Sequence, residues 1–394
     1  MRPGRGTDAA TLVDQLATRL LDISSQTHPE ELSVVLAREA ATVGLGDASV
    51  YLQDFDHELL LPLPGAAHAY PQDIDGTPAG QAFRTDRVVA LDVDDRHHAW
   101  VPLRDGGERV GVLALTLPPG DATPHAPLLR LSRVLASLLV VKGAYSDAFF
   151  LARRLKPMTI AAEMQWHLLP PLTLQTPRVS IAGMLAPAYE VGGDAFDYAV
   201  NGDVLHFAIF DAMGHGLGAA ILTAAVVGGY RHARRARVGL RDTYLIVDDV
   251  VRSHFGEEHF ATAQLATIDL PTGVLRWVNA GHPRPLLVRD GRVARSLRGP
   301  TTLPIGFEGE PPEVTEEQLQ PGDRLIFFTD GVIEEHTPDG VELGVEGLTA
   351  FLDSVEDERL PVAETARAVS LHLARSRAGT PTDDSTVVLL EWRP

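Results

Sequence analysis

The sequence predicts an α+β protein of two domains, and its length and hydrophobic patterning carry that prediction. The chain has 394 residues, more than the roughly 100 to 200 residues that one core usually serves. Hydrophobic residues make up 45% of it and charged residues 22%, as in globular proteins with sizeable cores. In the second half, strand-like runs stand at both ends with helical runs between them, which favours sheets layered with helices.

Composition excludes several classes of protein and of site. The formal net charge of -19 repels phosphate backbones and anionic lipid heads, so a nucleic-acid or membrane-surface role would need a strong local basic patch. The densest basic run, Arg231 to Arg237, is interpreted as the solvated end of a helix. Cysteine is absent, so a metal would have to use oxygen or imidazole ligands.

No segment predicts export or a membrane span. The N-terminal residues interleave charged and apolar side chains, so no uninterrupted signal-peptide core is present. The most apolar run, Ala219 to Tyr230, is shorter than the ~20 residues that a span requires. A cytoplasmic protein is predicted by elimination.

The first half has the order helices, strands, helix. Helical periodicity covers Ala10 to Leu21 and Leu128 to Val141, and strand-like alternation marks Ala48 to Gln53 and Val110 to Leu117. Together with the run GTPAGQAFRTDRVVALDV, this order resembles a GAF domain over residues 8–145. The resemblance implies an α/β sensor domain with a small-molecule pocket or a dimer contact on a central sheet. Loop histidines in this half are interpreted as surface residues rather than cofactor ligands.

A helical linker is predicted at residues 146–170. The pattern is helical apart from Pro157, which should kink or break it, and Pro170 with Pro171 marks the boundary. Such a helix could transmit a twist or act as a rigid spacer. Its apolar stripe could pair with a second copy of the chain to form a homodimer, or pack on its own C-terminal domain. The stripe consists of Phe149, Leu151, Leu155, Ile160, Met164 and Leu168.

Four acidic signatures stand at the edges of predicted strands in the second half. Asp194 follows the double glycine of EVGGDAFD, Asp211 ends the run VLHFAIF, Asp330 follows RLIFF in TDG, and Asp383 with Asp384 precedes the last strand. One Asp-Gly at a strand end is usually only a turn, but four in one segment are harder to dismiss. Carboxylates drawn together would repel one another unless divalent cations neutralised them. All-oxygen ligation favours Mg²⁺ or Mn²⁺ over zinc.

The same motifs resemble those of a known enzyme family. In order and content, GGDAFD, DAMGHG, NAGHP, GDRLIFFTDGVIE and DDSTVVLL are similar to the signature set of SpoIIE-type members of the metal-dependent, type 2C protein phosphatases. The resemblance covers residues 160–394 and indicates a phosphatase domain at 171–394. It implies an α-β-β-α sandwich, in which two antiparallel sheets lie between helices and a cleft for two metal ions lies at one edge.

The resemblance also implies roles for individual residues. Asp194 would ligate one metal ion, Asp211 would bridge the pair, and Asp330 with Asp383 would hold the other. The backbone carbonyl of Ala212 would supply a further ligand. These residues are therefore the predicted catalytic and metal-binding set.

Some neighbouring positions depart from the broader family or are ambiguous. No phosphate-clamping arginine lies just before GGD, and Met213 stands where relatives have a histidine. His215 could act as an acid, although packing in the turn is favoured. Asp384 matches an outer position more than a ligand, and Asp197 could orient a metal-bound water. The motif Asn279 to Pro283 could line the cleft, but a tight strand turn is slightly favoured.

The predicted function is hydrolysis of phosphoserine or phosphothreonine on a protein, controlled by the N-terminal sensor domain. Two Mn²⁺ or Mg²⁺ ions would activate a shared water that attacks phosphorus in line. From the resemblance, the substrate would be a phosphorylated anti-sigma-factor antagonist. The alternatives are a scaffold that binds a phosphoprotein without turnover, and a ligand sensor.

Overall fold

The chain folds as two units, which the computed structural model describes over residues 8–93, 96–119, 123–190, 192–336, 340–356, 360–376 and 384–394. The units are Met1–Lys156 and Pro157–Pro394. The division lies inside the predicted linker, and the predicted domain limits at residues 145 and 170 stay predictions. No helix in the described ranges is long and apolar enough to cross a membrane.

The first unit is an antiparallel sheet with helices on both faces. Its strands are β1 (Ala48–Gln53), β2 (Leu59–Pro62), β3 (Gln72–Asp73), β4 (Val89–Val93), β5 (Arg96–Asp105) and β6 (Glu108–Leu117). Within the described part of the chain they form a six-stranded sheet in the order β3-β2-β1-β6-β5-β4. Its helices are α1 (Ala9–Ile23), α2 (Leu32–Val43), α3 (Pro78–Thr85), α4 (His125–Gly143) and α5 (Ala148–Ala152).

Alternating side chains give each face of this sheet its own core. Val50, Val101 and Leu113 pack against the helices α1, α2 and α4, whereas Tyr51 and Val112 pack against α3. The period of two along each strand explains the division, since neighbouring side chains point to opposite faces. The predicted order of helices, strands and helix is confirmed except at helix α3, which lies between β3 and β4. The assignment to the GAF domains stays a prediction.

The predicted linker helix is interrupted. Helix α5 ends at Ala152 and the next helix, α6 (Ile160–Leu168), begins eight positions later, with Pro157 between them as a helix breaker. The predicted apolar stripe is therefore wrong as a single helical surface, because its residues lie on two separate helices and, for Leu155, on the segment between them. Phe149 is buried in the first unit, whereas Ile160 in the second is 68% exposed.

The second unit contains two sheets. Its strands are β7 (Thr173–Gln175), β8 (Val179–Ala186), β9 (Asp194–Asn201), β10 (Val204–Ala212), β11 (Ala261–Asp269), β12 (Val274–Ala280), β13 (Leu286–Arg289), β14 (Arg292–Ser296), β15 (Thr301–Thr302), β16 (Thr315–Gln318), β17 (Arg324–Phe328) and β18 (Ser385–Trp392). Its further helices are α7 (Leu217–Arg235), α8 (Leu240–Phe255), α9 (Asp330–Ile333), α10 (Gly344–Glu356) and α11 (Val362–Ser376).

These elements form four layers. One sheet has the order β15-β12-β11-β10-β9, with β16 beside β12, and the other has the order β14-β13-β17-β18-β8-β7. A large core lies between the sheets, a second lies under α7 and α8, and a third lies under α10 and α11. The predicted α-β-β-α sandwich is confirmed.

Most boundaries in the second unit agree with the sequence patterns, with one omission that concerns the site. The apolar pattern predicts a strand at Arg324–Phe328, which is the extent of β17. The helical pattern predicts a helix from Gly218 to Ala236, and α7 begins and ends one residue earlier. Strand β9 was not predicted. Its residues, DAFDYAVN, carry two aspartates among the apolar side chains and so lack an ordinary strand signature.

Candidate metal centre

Strands β9 and β10 place two of the predicted aspartates side by side. In their antiparallel register Asp194 lies opposite Asp211. Phe207 and Ile209 point into the core between the sheets, so the period of two places the side chain of Asp211 on this inner face. The same argument applies to Asp194, because Phe196 belongs to that core as well.

The opposite sheet brings Thr329 and Asp384 to the same end of the sandwich. Phe327 on β17 and Val388 on β18 face the core between the sheets, and Thr329 and Asp384 continue their inner faces. Thr329 donates a hydrogen bond from its hydroxyl to Oδ2 of Asp194 at 2.7 Å. A contact between the two sheets therefore runs through the candidate site.

A glutamine from α6 closes this network. The side-chain amide of Gln165 donates to the carbonyl of Asp194 at 2.8 Å and to Oδ2 of Asp384 at 3.0 Å. The same oxygen of Asp384 accepts the backbone N–H of Asp194 at 3.1 Å. Gln165 is only 2% exposed, so this amide ties helix α6 to both sheets at the site.

Burial and neighbouring negative charges both raise the pKa of Asp194. Its side chain is 1% exposed, and burial raises its pKa well above the usual value, with the carboxylates of Asp211 and Asp384 adding to the rise. The hydrogen bond from Thr329 opposes the shift. A cation between these carboxylates would favour the ionised form, so the arrangement suits a positively charged ligand.

Two tight backbone contacts shape the loops around these carboxylates. A Cβ at Gly331 would lie 1.9 Å from the carbonyl oxygen of Asp384, so only glycine allows this approach. A Cβ at Gly193 would lie 3.2 Å from the carbonyl oxygen of Ala212, which also donates its N–H to the carbonyl of Gly193. These contacts hold the start of β9 and the end of β10 in register with the second sheet.

The structure brings together part of the predicted ligand set. Asp194 and Asp211 lie next to each other, with the carbonyl of Ala212 directly beyond them, and Asp330 begins α9 immediately after Thr329. Asp383 lies outside the described residues. Within the described ranges, no group of three or more His, Asp or Glu side chains already has the arrangement of a metal site.

The available donors nevertheless fit a hard divalent cation. Asp194 and Asp211 supply carboxylate oxygens, and the buried Asp194 carries repulsion from both Asp211 and Asp384. Oxygen donors of this kind suit Mg²⁺ or Mn²⁺. Asp384 accepts hydrogen bonds from Gln165 and from the backbone, which agrees with its predicted outer position.

Asp197 does not have the predicted role of orienting a water at the metals. It lies on the opposite face of β9, where Arg231 binds its Oδ1 at 2.7 Å and Arg234 binds its Oδ2 at 2.5 Å. Both arginines come from helix α7. The interpretation of Arg231 to Arg237 as a solvated helix end is therefore wrong for these two residues, and Arg234 is only 9% exposed at its side chain.

The motif Asn279 to Pro283 forms a tight strand turn, the favoured interpretation. Asn279 donates to the carbonyl of His282 and accepts its N–H, both at 2.9 Å. His282 contacts Thr262 through Nδ1 at 2.7 Å, and burial lowers its pKa to about 3. A histidine that stays neutral near pH 7 has no proton to give as an imidazolium acid. His215 is exposed.

Comparison with known proteins finds similarity in the second unit. The family model described as Stage II sporulation protein E (SpoIIE) matches residues 201–393. The phosphoserine phosphatase RsbP of Bacillus subtilis (strain 168) is 28% identical over 165 residues, which cover 40% of each protein. The Stage II sporulation protein E of the same organism is 26% identical over 194 residues, which cover 44% of this chain and 22% of that protein.

A solved structure supports the same assignment. The SiaA-PP2C domain of Pseudomonas aeruginosa is similar with a TM-score of 0.50 and 25% identity, over 59% of this chain and 94% of that domain. The chain thus spans less than half the length of the two curated relatives above. Nearly the whole of the solved phosphatase domain is matched.

Proposed function

Residues 201–393 form a SpoIIE-type phosphatase domain, and from this premise we propose that the protein hydrolyses phosphoserine or phosphothreonine on another protein with the help of two divalent cations. The cations would be Mn²⁺ or Mg²⁺. The first unit would act as a sensor domain that controls this activity. The observation that carries the proposal is the convergence of carboxylates from both sheets at one end of the sandwich.

This convergence stands out because buried acids elsewhere in the unit have basic partners. The ion pairs are Asp197 with Arg231 and Arg234, Asp248 with Arg252, Asp323 with Arg289, Glu356 and Glu391 with Arg324, and Glu364 with Arg367. In the described ranges, no arginine or lysine pairs with Asp194, whose neighbours include Asp211 and Asp384. A site that gathers negative charge in this way is arranged for a cation that is not a side chain.

The residues of this chain have defined tasks in the proposed reaction. Asp194 and Asp211 would hold the cations, together with Asp330, Asp383 and the carbonyl of Ala212. When bound, the cations would supply an activated water and offset negative charge on the phosphoryl oxygens.

Other residues would keep the ligands in place. Thr329 fixes the orientation of the Asp194 carboxylate through one hydrogen bond, and Gln165 fixes the backbone at the same residue. Burial lowers the pKa of His282 to about 3, so this side chain would not supply the proton for the leaving serine.

The relatives support a proposal about the substrate. One relative carries the name phosphoserine phosphatase, and by analogy the substrate here would be a phosphorylated regulatory protein, an anti-sigma-factor antagonist. With no phosphate-clamping arginine just before Gly192, recognition would depend on the protein surface around the phosphoserine. Small aryl phosphates are therefore expected to be poor substrates. A site of action in the cytoplasm remains part of this proposal.

The test uses the full chain and measures phosphate release. We expect turnover of a phosphoserine protein with Mn²⁺ present, none with excess chelator, and a loss of at least about a thousandfold for Asp211→Asn. Asp290→Asn is the matched control, because Asp290 is an exposed turn residue with a positive φ of 54° that asparagine tolerates. Full activity in chelator, or of the Asp211 variant, would contradict the proposal. Tight binding of the phosphoprotein without turnover would favour the scaffold alternative instead.

A further inference from the structure

A pocket in the first unit lies between helix α2, the chain after β2 and helix α5. Its volume is about 370 Å³, within the range of ~300 to 1,000 Å³ that small-molecule sites occupy. Residues at its inner end are buried, with Leu63 3% and Phe149 8% exposed. At its outer end Leu151 is 55% exposed. The pocket is therefore an apolar cleft with one open end.

A polar atom at the inner end has no partner. Ser33 lines the pocket and is 1% exposed, and its hydroxyl has no hydrogen-bond partner in the described part of the chain. Buried hydroxyls are nearly always hydrogen-bonded, since an unsatisfied one costs about 1 to 3 kcal/mol. A side chain this short changes rotamer without moving the helix. A ligand atom at this end could supply the missing partner.

Charge at the pocket limits which ligands it accepts. Among its lining residues, Glu30 is the one charged side chain, and it is exposed at the outer end. The other lining residues are alanine, leucine, proline, phenylalanine and the serine. An anionic ligand would lose hydration without gaining a cationic partner, so the lining selects against carboxylates and phosphates.

We infer that this pocket binds an uncharged, mainly apolar small molecule that carries one hydrogen-bonding group, which Ser33 receives. At a liquid volume near 30 Å³ per water-sized group, the space corresponds to roughly ten heavy atoms. A medium-chain alcohol has this size and polarity. The inference specifies the ligand of the proposed sensor domain, yet binding here does not require phosphatase activity, so its test is independent of turnover.

A ligand in this pocket would stabilise helix α5. Ala148, Leu151 and Ala152 on this helix line the pocket, and α5 is only five residues long. A helix this short has little stability of its own and depends on its packing. A ligand under α5 would therefore add packing to the last helix before the second unit begins at Pro157.

The test measures binding to the full chain with two probes. The neutral dye 1-aminoanthracene is expected to bind with increased fluorescence and to be displaced by 1-octanol. Octanoate, which has the same chain length with a negative charge, is expected to displace it at least about tenfold more weakly. Absence of dye binding, or equal displacement by octanoate and octanol, would overturn the inference.

Two variants locate the site. Ala152→Trp would fill the pocket and should lower dye affinity at least about tenfold, whereas Ala41→Trp, at an exposed position of α2, should leave it unchanged. Ser33→Ala should weaken octanol about fivefold, the effect of one lost hydrogen bond. It should leave 1-chlorooctane, with a much weaker hydrogen-bonding end, nearly unchanged.

Melting curves check that each variant folds. A folded Ala152→Trp protein with normal dye binding places the dye elsewhere and contradicts the assignment. Equal effects of Ser33→Ala on both displacing molecules would contradict the role of the hydroxyl.

Discussion

The two faces of strand β9 each carry a buried aspartate, and the charges around these two aspartates are opposite in sign. Asp194 faces the space between the sheets, where the carboxylates of Asp211 and Asp384 raise its pKa. Asp197 faces helix α7, where two arginines pair with it. Both side chains are almost fully buried, at 1% and 2% exposure.

This difference distinguishes a buried charge that has basic partners within the protein from one that has acidic neighbours. A buried acid that pairs with basic side chains is neutralised within the folded protein. Its removal leaves the basic partners buried without a counter-charge. A buried acid surrounded by other acids is destabilising until a cation arrives from outside. The same substitution at the two positions should therefore have opposite consequences.

The largest effect is expected for Asp194→Asn. Turnover of a phosphoserine protein should fall by at least about a thousandfold, because the variant would lose a charged ligand of the proposed cations. In chelator, the free energy of unfolding should stay the same or rise, because the amide removes a charge that Asp211 and Asp384 repel. Phosphate release and urea unfolding measure the two effects. Substantial turnover, or a large loss of stability, would remove the contrast between the two faces.

Asp197→Asn should act mainly on stability. Breaking the buried pairs with Arg231 and Arg234 should lower the free energy of unfolding by about 3 kcal/mol, measured by urea unfolding in chelator. Asp203→Asn is the control, since Asp203 is an exposed residue of the β9–β10 turn that pairs with Arg178 at the surface. This control should change stability by less than about 1 kcal/mol. Equal stability of the Asp197 and Asp203 variants would show that the buried pairs contribute nothing.

Asp54 in the first unit extends the comparison to a buried acid outside any metal site. It is fully buried, its Oδ1 accepts the N–H groups of Glu58 and Leu59, and burial raises its pKa to about 6 from 3.8. Between these values the unfolded chain loses its proton first, so this group makes stability fall as pH rises through that window.

Asp54→Asn should remove that pH dependence. Above pH 6 the variant should be more stable than the original protein by on the order of 2 kcal/mol, with the difference shrinking towards pH 4. Urea unfolding of the full chain at pH 5 and pH 7.5 measures it, and Asp73→Asn, at an exposed residue of β3, is the control. A difference that is the same at both pH values would rule out the titration of Asp54 as its cause.

The smallest effect is expected for Thr329→Val. This change removes the hydrogen bond to Asp194. It also removes the acceptor of the Thr386 N–H, which in the original protein donates to the hydroxyl of Thr329 at 2.9 Å. A loss of about 1 kcal/mol corresponds to roughly fivefold in kcat/KM, with a parallel loss of Mn²⁺ affinity. Thr329→Ser keeps the hydroxyl and should restore both quantities. If serine and valine behave alike, the hydroxyl does not position Asp194.

The position of Asp211 could be predicted from the sequence because it depends on local pattern. A run of alternating apolar residues leads into it, and the alternation alone decides which face it takes. The fold of the second unit followed for the same reason, since its strands and helices have strong periodicity. The interruption of the linker helix could be predicted in part, because Pro157 marks the break.

The partners of the aspartates could not be predicted in this way. Thr329 reaches Asp194 across 135 positions of the chain, and Gln165 reaches Asp384 across 219. No local pattern encodes contacts over such distances. The burial of Arg234 could not be predicted for a related reason. Charged residues at a helix end are usually solvated, and only the packing of α7 on β9 makes this one an exception.

The place of β18 in its sheet has a consequence for protein synthesis. This strand lies between β17 and β8, and Asp194 contacts Asp384 across 190 positions of the chain. At a translation rate of ~5 to 20 residues per second, β8 would wait roughly 10 to 40 s on the ribosome for its partner. During that time its edge is open to other chains. We expect the nascent second unit to need protection by chaperones until β18 has been synthesised.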